Sequence, residues 1–178
     1  SPEVQKAVKQ GMIECLAKGN IDTVKEIKQE FNVSKEIISS PEVQKAAKQG
    51  MIECLSKGNI DTVKEIKQEF NVSEEATQEA AKQGIINSLF WGEIDDAKKI
   101  KQEFNVPEET INLPEVQKAA KQGMISCLSG GKIYAAKEIK RKFNVSEETT
   151  QEAVKQGIIN RLSKGNIDTV KEIKQEFN

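Results

Sequence analysis

The chain is 178 residues long, with 31% charged and 4% aromatic residues, 27 basic side chains against 28 acidic ones, and no histidine. Near-neutrality argues against a dedicated nucleic-acid binder, which carries a basic excess, and the lack of imidazole removes catalytic triads, most metal sites and imidazole acid-base catalysis. The longest apolar runs are a few residues, too short to cross a membrane as a helix.

Lys-Gln-Gly occurs five times, with its glycine at Gly11, Gly50, Gly84, Gly123 and Gly157. Steps of 39 and 34 residues alternate, so the longer period is 73 residues. A fixed period of this size marks stacked units, each burying its apolar side only against its neighbours. The expected fold is all-α, a right-handed α-α superhelix (solenoid) of five helical hairpins with alternating 39/34-residue spacing. A single helical-repeat domain over 1–178 is expected, with units near 1–39, 40–73, 74–112, 113–146 and 147–178. It starts at a unit boundary and stops mid-pattern, as a piece of a longer array would.

In the first unit, Ser1-Pro2-Glu3 reads as a serine cap with proline at the first helical position. Val4, Ala7, Val8, Gly11, Met12, Cys15 and Leu16 then make the stripe of an amphipathic helix A ending near Lys18. Ile13 lies off that stripe, so a covered flank is expected. A mid-helix glycine costs about 1 kcal/mol relative to alanine, and its recurrence predicts a second backbone passing too close for a side chain. Gly19-Asn20 closes the helix, and helix B runs from Ile21 to about Phe31 with Ile21, Val24, Ile27 and Phe31 inward. Lys35 to Ser39 predicts one extra helical turn.

The second unit repeats the first almost letter for letter, whereas the third is entered directly from Ser73-Glu74-Glu75 through a link five residues shorter. The fourth returns to the long link, with a turn over Val106–Ile111 and a restart at Leu113-Pro114-Glu115; the fifth takes the short one from Ser146. Alternate junctions are therefore expected to differ in angle. Cys15, Cys54 and Cys127 recur at one place in their units, about 10 Å apart if the helices stack, too far for a disulfide. They read as small buried thiols, which implies a reducing, intracellular and cytoplasmic setting. Asn32-Val33-Ser34, Asn71-Val72-Ser73 and Asn144-Val145-Ser146 fit the glycosylation pattern, but the preferred explanation is the plain one, a helix end followed by a helix start.

The stretch Met12-Ile13-Glu14-Cys15-Leu16-Ala17-Lys18-Gly19-Asn20-Ile21-Asp22-Thr23-Val24, followed by Lys25-Glu26-Ile27-Lys28-Gln29-Glu30-Phe31, resembles the helix-turn-helix core of tetratricopeptide and pentatricopeptide repeats, and more loosely ankyrin repeats. The tetratricopeptide resemblance implies binding of a protein or peptide in a concave groove. The pentatricopeptide resemblance implies single-stranded RNA binding by polar residues of helix A.

No catalytic constellation accompanies the repeats: the cysteines lack a base partner, and Ser129-Gly130-Gly131-Lys132-Ile133 lacks the residues of a phosphate loop. A non-enzyme without cofactor or metal is expected. The units disagree chiefly at Phe90 and Trp91, and at Lys132, Tyr134, Arg141 and Lys142. Phe90, Trp91, Lys132, Tyr134 and Arg141 are candidate partner-binding residues, of types enriched at hot spots; alternatively Phe90 and Tyr134 fill space left where Ala97 and Ala136 replace valine. A second candidate is the basic ladder Lys9, Lys48, Lys82, Lys121 and Lys155, which either tracks an acidic partner or is a solvated flank. The leading expectation is a scaffold for a protein or peptide. Single-stranded RNA binding and an end-to-end self-associating spacer are the alternatives, and no membrane is involved.

Overall fold

The structure, a computed structural model, describes residues 1–177. Twelve helices and no strand are found among them: α1 (Pro2–Ala17), α2 (Ile21–Glu30), α3 (Lys35–Ile38), α4 (Pro41–Leu55), α5 (Ile60–Glu69), α6 (Glu74–Trp91), α7 (Ile94–Glu103), α8 (Glu108–Ile111), α9 (Pro114–Ser129), α10 (Ile133–Lys142), α11 (Glu147–Leu162) and α12 (Ile167–Phe177). The extra turns α3 and α8 fall in the long links, as the spacing predicts. None of these helices is long and apolar enough to cross a membrane. The chain divides into two compact units, Ser1–Gly84 and Ile85–Asn178, with the division inside α6.

Among the described residues, a left-handed glycine follows α1, α4, α6, α9 and α11, and a left-handed asparagine follows α2, α5, α7 and α10. After α1, Gly19 adopts φ +76°, its N–H donating to the Leu16 carbonyl at 2.9 Å while the Asn20 N–H donates to the Cys15 carbonyl at 3.0 Å. This pair of bonds satisfies carbonyls that the helix end leaves open. After α2, Asn32 takes the same role at φ 44°, and the Val33 N–H donates to the Lys28 carbonyl at 3.2 Å. Asn71, Asn105 and Asn144 repeat it. Asn105 is followed by Val106-Pro107 and lacks the glycosylation pattern, so the left-handed geometry alone accounts for the recurrent asparagine.

In the first compact unit, α1 crosses onto α4 at Gly50, where an added Cβ would stand 2.0 Å from the Leu16 carbonyl oxygen. Met12, Leu16, Val24, Val43, Ala47, Met51, Val63 and Ile66 are completely buried around this crossing. Gln44 of α4 then ties two segment ends to the core, its side-chain amide donating to the carbonyls of Ile38 (3.1 Å) and Phe70 (2.8 Å). Between α2 and α5, Lys25 pairs with Glu65 at 2.8 Å and Lys28 with Glu69 at 2.7 Å. Lys28 also lies 5.3 Å from the centre of the Phe70 ring.

In the second compact unit the same contacts recur 73 residues later. An added Cβ at Gly123 of α9 would stand 2.1 Å from the Leu89 carbonyl oxygen. Gln117 donates to the carbonyls of Ile111 (2.9 Å) and Phe143 (2.7 Å), and Lys101 stands over the Phe143 ring. The short-link junction between α9 and α11 differs. There Gly157 faces the side chain of Leu128, whose Cβ would be 2.6 Å from an added methyl, and the Arg161 guanidinium takes the place held elsewhere by a cysteine. Five extra residues with a helical turn let a helix settle backbone to backbone; the direct link at Ser146, whose hydroxyl accepts from the Thr149 N–H at 3.1 Å, holds it one side chain away.

Three expectations fail in the first hairpin for one reason: α1 and α2 meet a neighbouring hairpin on one side. Gly11 has nothing within 4 Å of where a Cβ would be. Cys15 is half-exposed although Cys54 and Cys127 are buried. Phe31 is exposed, whereas Phe70 and Phe143 are covered by a lysine from the preceding hairpin.

Opposite signs are therefore expected for one substitution in one motif. Gly50→Ala and Gly123→Ala should each destabilise by about 1–3 kcal/mol through overpacking against a carbonyl that cannot move aside. Gly11→Ala should stabilise by about 0.5–1 kcal/mol through helix propensity alone. Urea unfolding midpoints of the three variants check this.

Acid should loosen the hairpin junctions. Hydrogen bonds from Lys28, Lys101 and Lys140 hold Glu69, Glu108 and Glu147 below the usual carboxylate range. A depressed folded-state value means stability that is present above the unfolded value, about 4.3 for glutamate, and is lost as pH falls through the folded value. The melting temperature should be flat near neutrality and fall below about pH 4.5; a scan from pH 7 to 3 in fixed ionic strength reads it directly.

Candidate functional site

At the end of α6, Ile85 and Leu89 point into the core, and one residue further round the helix Phe90 and Trp91 point out. Phe90 is 47% exposed and Trp91 72%, their rings edge to face with centroids 5.3 Å apart. Tyr134 at the start of α10 is 76% exposed. The two alanines that replace valine, Ala97 and Ala136, are completely buried, so well-packed neighbours close over them while the rings stay in solvent.

Phe90 walls an open groove of about 460 Å³ between α6 and α9. Its floor is Ile86, Ala119 and Ile125, and its rim is Glu115, Lys118, Lys121 and Gln122. Ile86 and Ile125 hold the same place after their glycines as Ile13, the residue that falls off the helix stripe. The flank is thus only half covered, and the groove runs where the uncovered isoleucines of two neighbouring helices face each other. Sequence reading missed these floor residues, although the off-stripe isoleucine was their signal. In α1 the place of Phe90 is held by Ala17, so the ring is what gives this groove its wall.

The remaining predicted residues lie elsewhere. Tyr134 lines a different groove, between α10 and α12, with Ile133, Lys137, Glu172 and Glu176. Lys132 precedes α10; its N–H closes the α9 end on the Cys127 carbonyl at 2.8 Å and its side chain is exposed. Arg141 forks onto Glu138, with Nε at 3.0 Å and Nη2 at 2.7 Å from one carboxylate oxygen. Glu138, its side chain only 9% exposed, also takes Lys98 at 3.5 Å, and the Arg141 guanidinium, followed by the two cations' charge, holds its carboxyl below the usual range.

The lysine ladder is partly consumed by the stack itself. Lys9 pairs with Glu42 of the next A helix at 3.0 Å, Lys121 with Glu152, and Lys82 with Glu79 in its own helix at 3.1 Å. Lys48 and Lys155 have no ion pair among the described residues. The buried thiols are equally occupied: Cys54 Sγ donates to the Gly19 carbonyl at 3.9 Å and Cys127 Sγ to the Gly92 carbonyl at 3.7 Å. Burial pushes both thiols up from their ordinary value, which keeps them protonated and poor nucleophiles at neutral pH.

The groove offers an apolar trough with an aromatic wall and a rim of mixed charge. Compared with protein families, with curated proteins and with solved structures, the chain matches none.

Proposed function

We propose that this chain is a non-catalytic helical-repeat scaffold that binds a peptide or a protein segment in the groove between α6 and α9. The observation that carries this reading is the exposed Phe90 ring, which walls an apolar groove and has the Trp91 ring edge to face against it. Two rings held out of the core contribute nothing to packing, whereas rings beside a desolvated trough are the commonest anchors of binding energy. The groove is set by helices already fixed by their own crossing, so a bound segment bears most of the ordering cost itself. Lys118, Lys121, Glu115 and Gln122 on the rim can orient a polar backbone while Ile86, Ala119 and Ile125 take apolar side chains.

The architecture we propose with it is the right-handed superhelix of five hairpins, of the tetratricopeptide and pentatricopeptide kind. Its support is the recurrence of the glycine crossing, the glutamine tie and the lysine-over-phenylalanine contact at 73-residue spacing. The pairing of Lys9, Lys82 and Lys121 with carboxylates speaks for a protein partner over RNA, since a phosphate backbone would have to displace them.

Selection from a random peptide display library should enrich segments with large apolar residues, and a bound peptide should shift Trp91 emission. Phe90→Ala combined with Trp91→Ala should weaken such peptides about tenfold or more while leaving stability within about 0.5 kcal/mol. Peptide binding that survives both substitutions, or saturable binding of random single-stranded RNA at low salt with no peptide enriched, would overturn this reading.

A further inference from the structure

The junction between α7 and α10 has the same backbone plan as that between α2 and α5, and comparing the two isolates what has changed. In the first, Lys25 and Lys28 face Glu65 and Glu69, and α2 and α5 each sum to −1. In the second, Lys98 keeps its partner Glu138, but Lys142 stands where Glu69 stood and Arg141 where Gln68 stood. Helix α7 then sums to 0 and α10 to +3.

Internal compensation reaches most of these cations: Lys137 pairs with Glu176, Lys140 with Glu147 at 2.7 Å, and Arg141 and Lys98 share Glu138. Glu108 of α8, at the place of Lys35, takes Lys101 at 2.7 Å and accepts from the Asn144 amide at 2.9 Å. Lys101 also donates to the Lys142 carbonyl at 3.2 Å. The Lys142 and Lys99 amines are left without an ion pair among the described residues, and the Arg141 side chain remains 64% exposed while it holds Glu138. Lys98, Lys101 and Lys142 converge with Gln102, Asn105 and Glu108 on one open hollow of about 550 Å³, which Val106 and Pro107 also line.

We propose that this hollow is a second docking site, separate from the apolar groove, which takes an acidic peptide segment rich in aspartate or glutamate. The excess cations supply the attraction. Gln102 and Asn105 offer side-chain amides that both donate and accept, which suits a peptide backbone. Glu108, already paired with Lys101, interrupts the cations of the hollow and so suits spaced carboxylates better than a continuous phosphate chain, and no aromatic ring lines the hollow to stack a base.

The test is fluorescence anisotropy of a labelled Asp/Glu-rich peptide with the full chain at about 20 mM salt. Arg141→Gln with Lys142→Glu restores the letters of the second repeat and should weaken the peptide about tenfold. Lys6→Glu with Lys18→Gln makes the same change in net charge at exposed positions in α1 and just after it, and should leave affinity within about twofold. Lys142→Gln alone removes one amine without introducing a carboxylate and should cost about threefold, which keeps the test decisive should the double variant misfold. The proposal is overturned by absence of peptide binding at this salt, by equal losses in the control pair, or by a single-stranded oligonucleotide of equal charge binding more tightly through Arg141 and Lys142.

Discussion

Within each long-link junction, one contact sets the geometry of everything around it: a leucine carbonyl lying over the Cα of a glycine in the next helix. Leu16 over Gly50 and Leu89 over Gly123 bring two helical backbones closer than any side chain permits. Glycine weakens the helix that carries it by about 1 kcal/mol. The close approach offsets this by letting Met12 and Leu16 on one helix, and Met51 and Leu55 on the other, pack with almost no exposed surface. The second hairpin helix follows passively, positioned by a glutamine whose amide joins the extra turn to the phenylalanine that ends it.

Charge then works on a frame that packing has already built. The lysine-glutamate pairs across hairpins are mostly half exposed, so each adds little stability. Their arrangement matters more for what it leaves over. Where a carboxylate is replaced by lysine at the α7–α10 junction, the frame keeps its contacts, because Lys101 finds Glu108 instead and stays over the Phe143 ring as Lys28 does over Phe70. A surface can thus change sign while the core beneath it, apart from the exchange of valine for Ala97 and Ala136, keeps its residues, and Phe90 and Trp91 likewise replace Ala17 and Lys18 without disturbing Leu89 or Leu16. Positions that the crossing helices do not use are therefore free to vary without disturbing the packing beneath them.

The helices and their ends were legible in the letters because local physics decides them. A stripe of apolar residues, a serine or proline start and a glycine or asparagine stop act over a few residues, and the observed boundaries lie within a residue or two of those signals. The alternation of 39 and 34 residues also foretold that the junctions differ, since five residues with a helical turn cannot be absorbed without changing how a helix lands. Less legible was the surface. Phe90, Trp91, Tyr134 and Arg141 stood out as departures from the repeat, but departure alone does not say which way a side chain faces, and Tyr134 and Arg141 prove to line different places from Phe90.

By itself, then, the sequence determined the helices and their caps, which depend on neighbours within a turn, and the recurrence of a mid-helix glycine, but not which of its copies meets a second backbone. Only the tertiary structure decided which copies of a repeated letter share a fate. Gly11 and Gly50, Cys15 and Cys54, Phe31 and Phe70 are identical in sequence setting and opposite in burial. The reason is that close contact and burial belong to pairs of hairpins, and a pattern read along one hairpin carries no record of what lies against its other side.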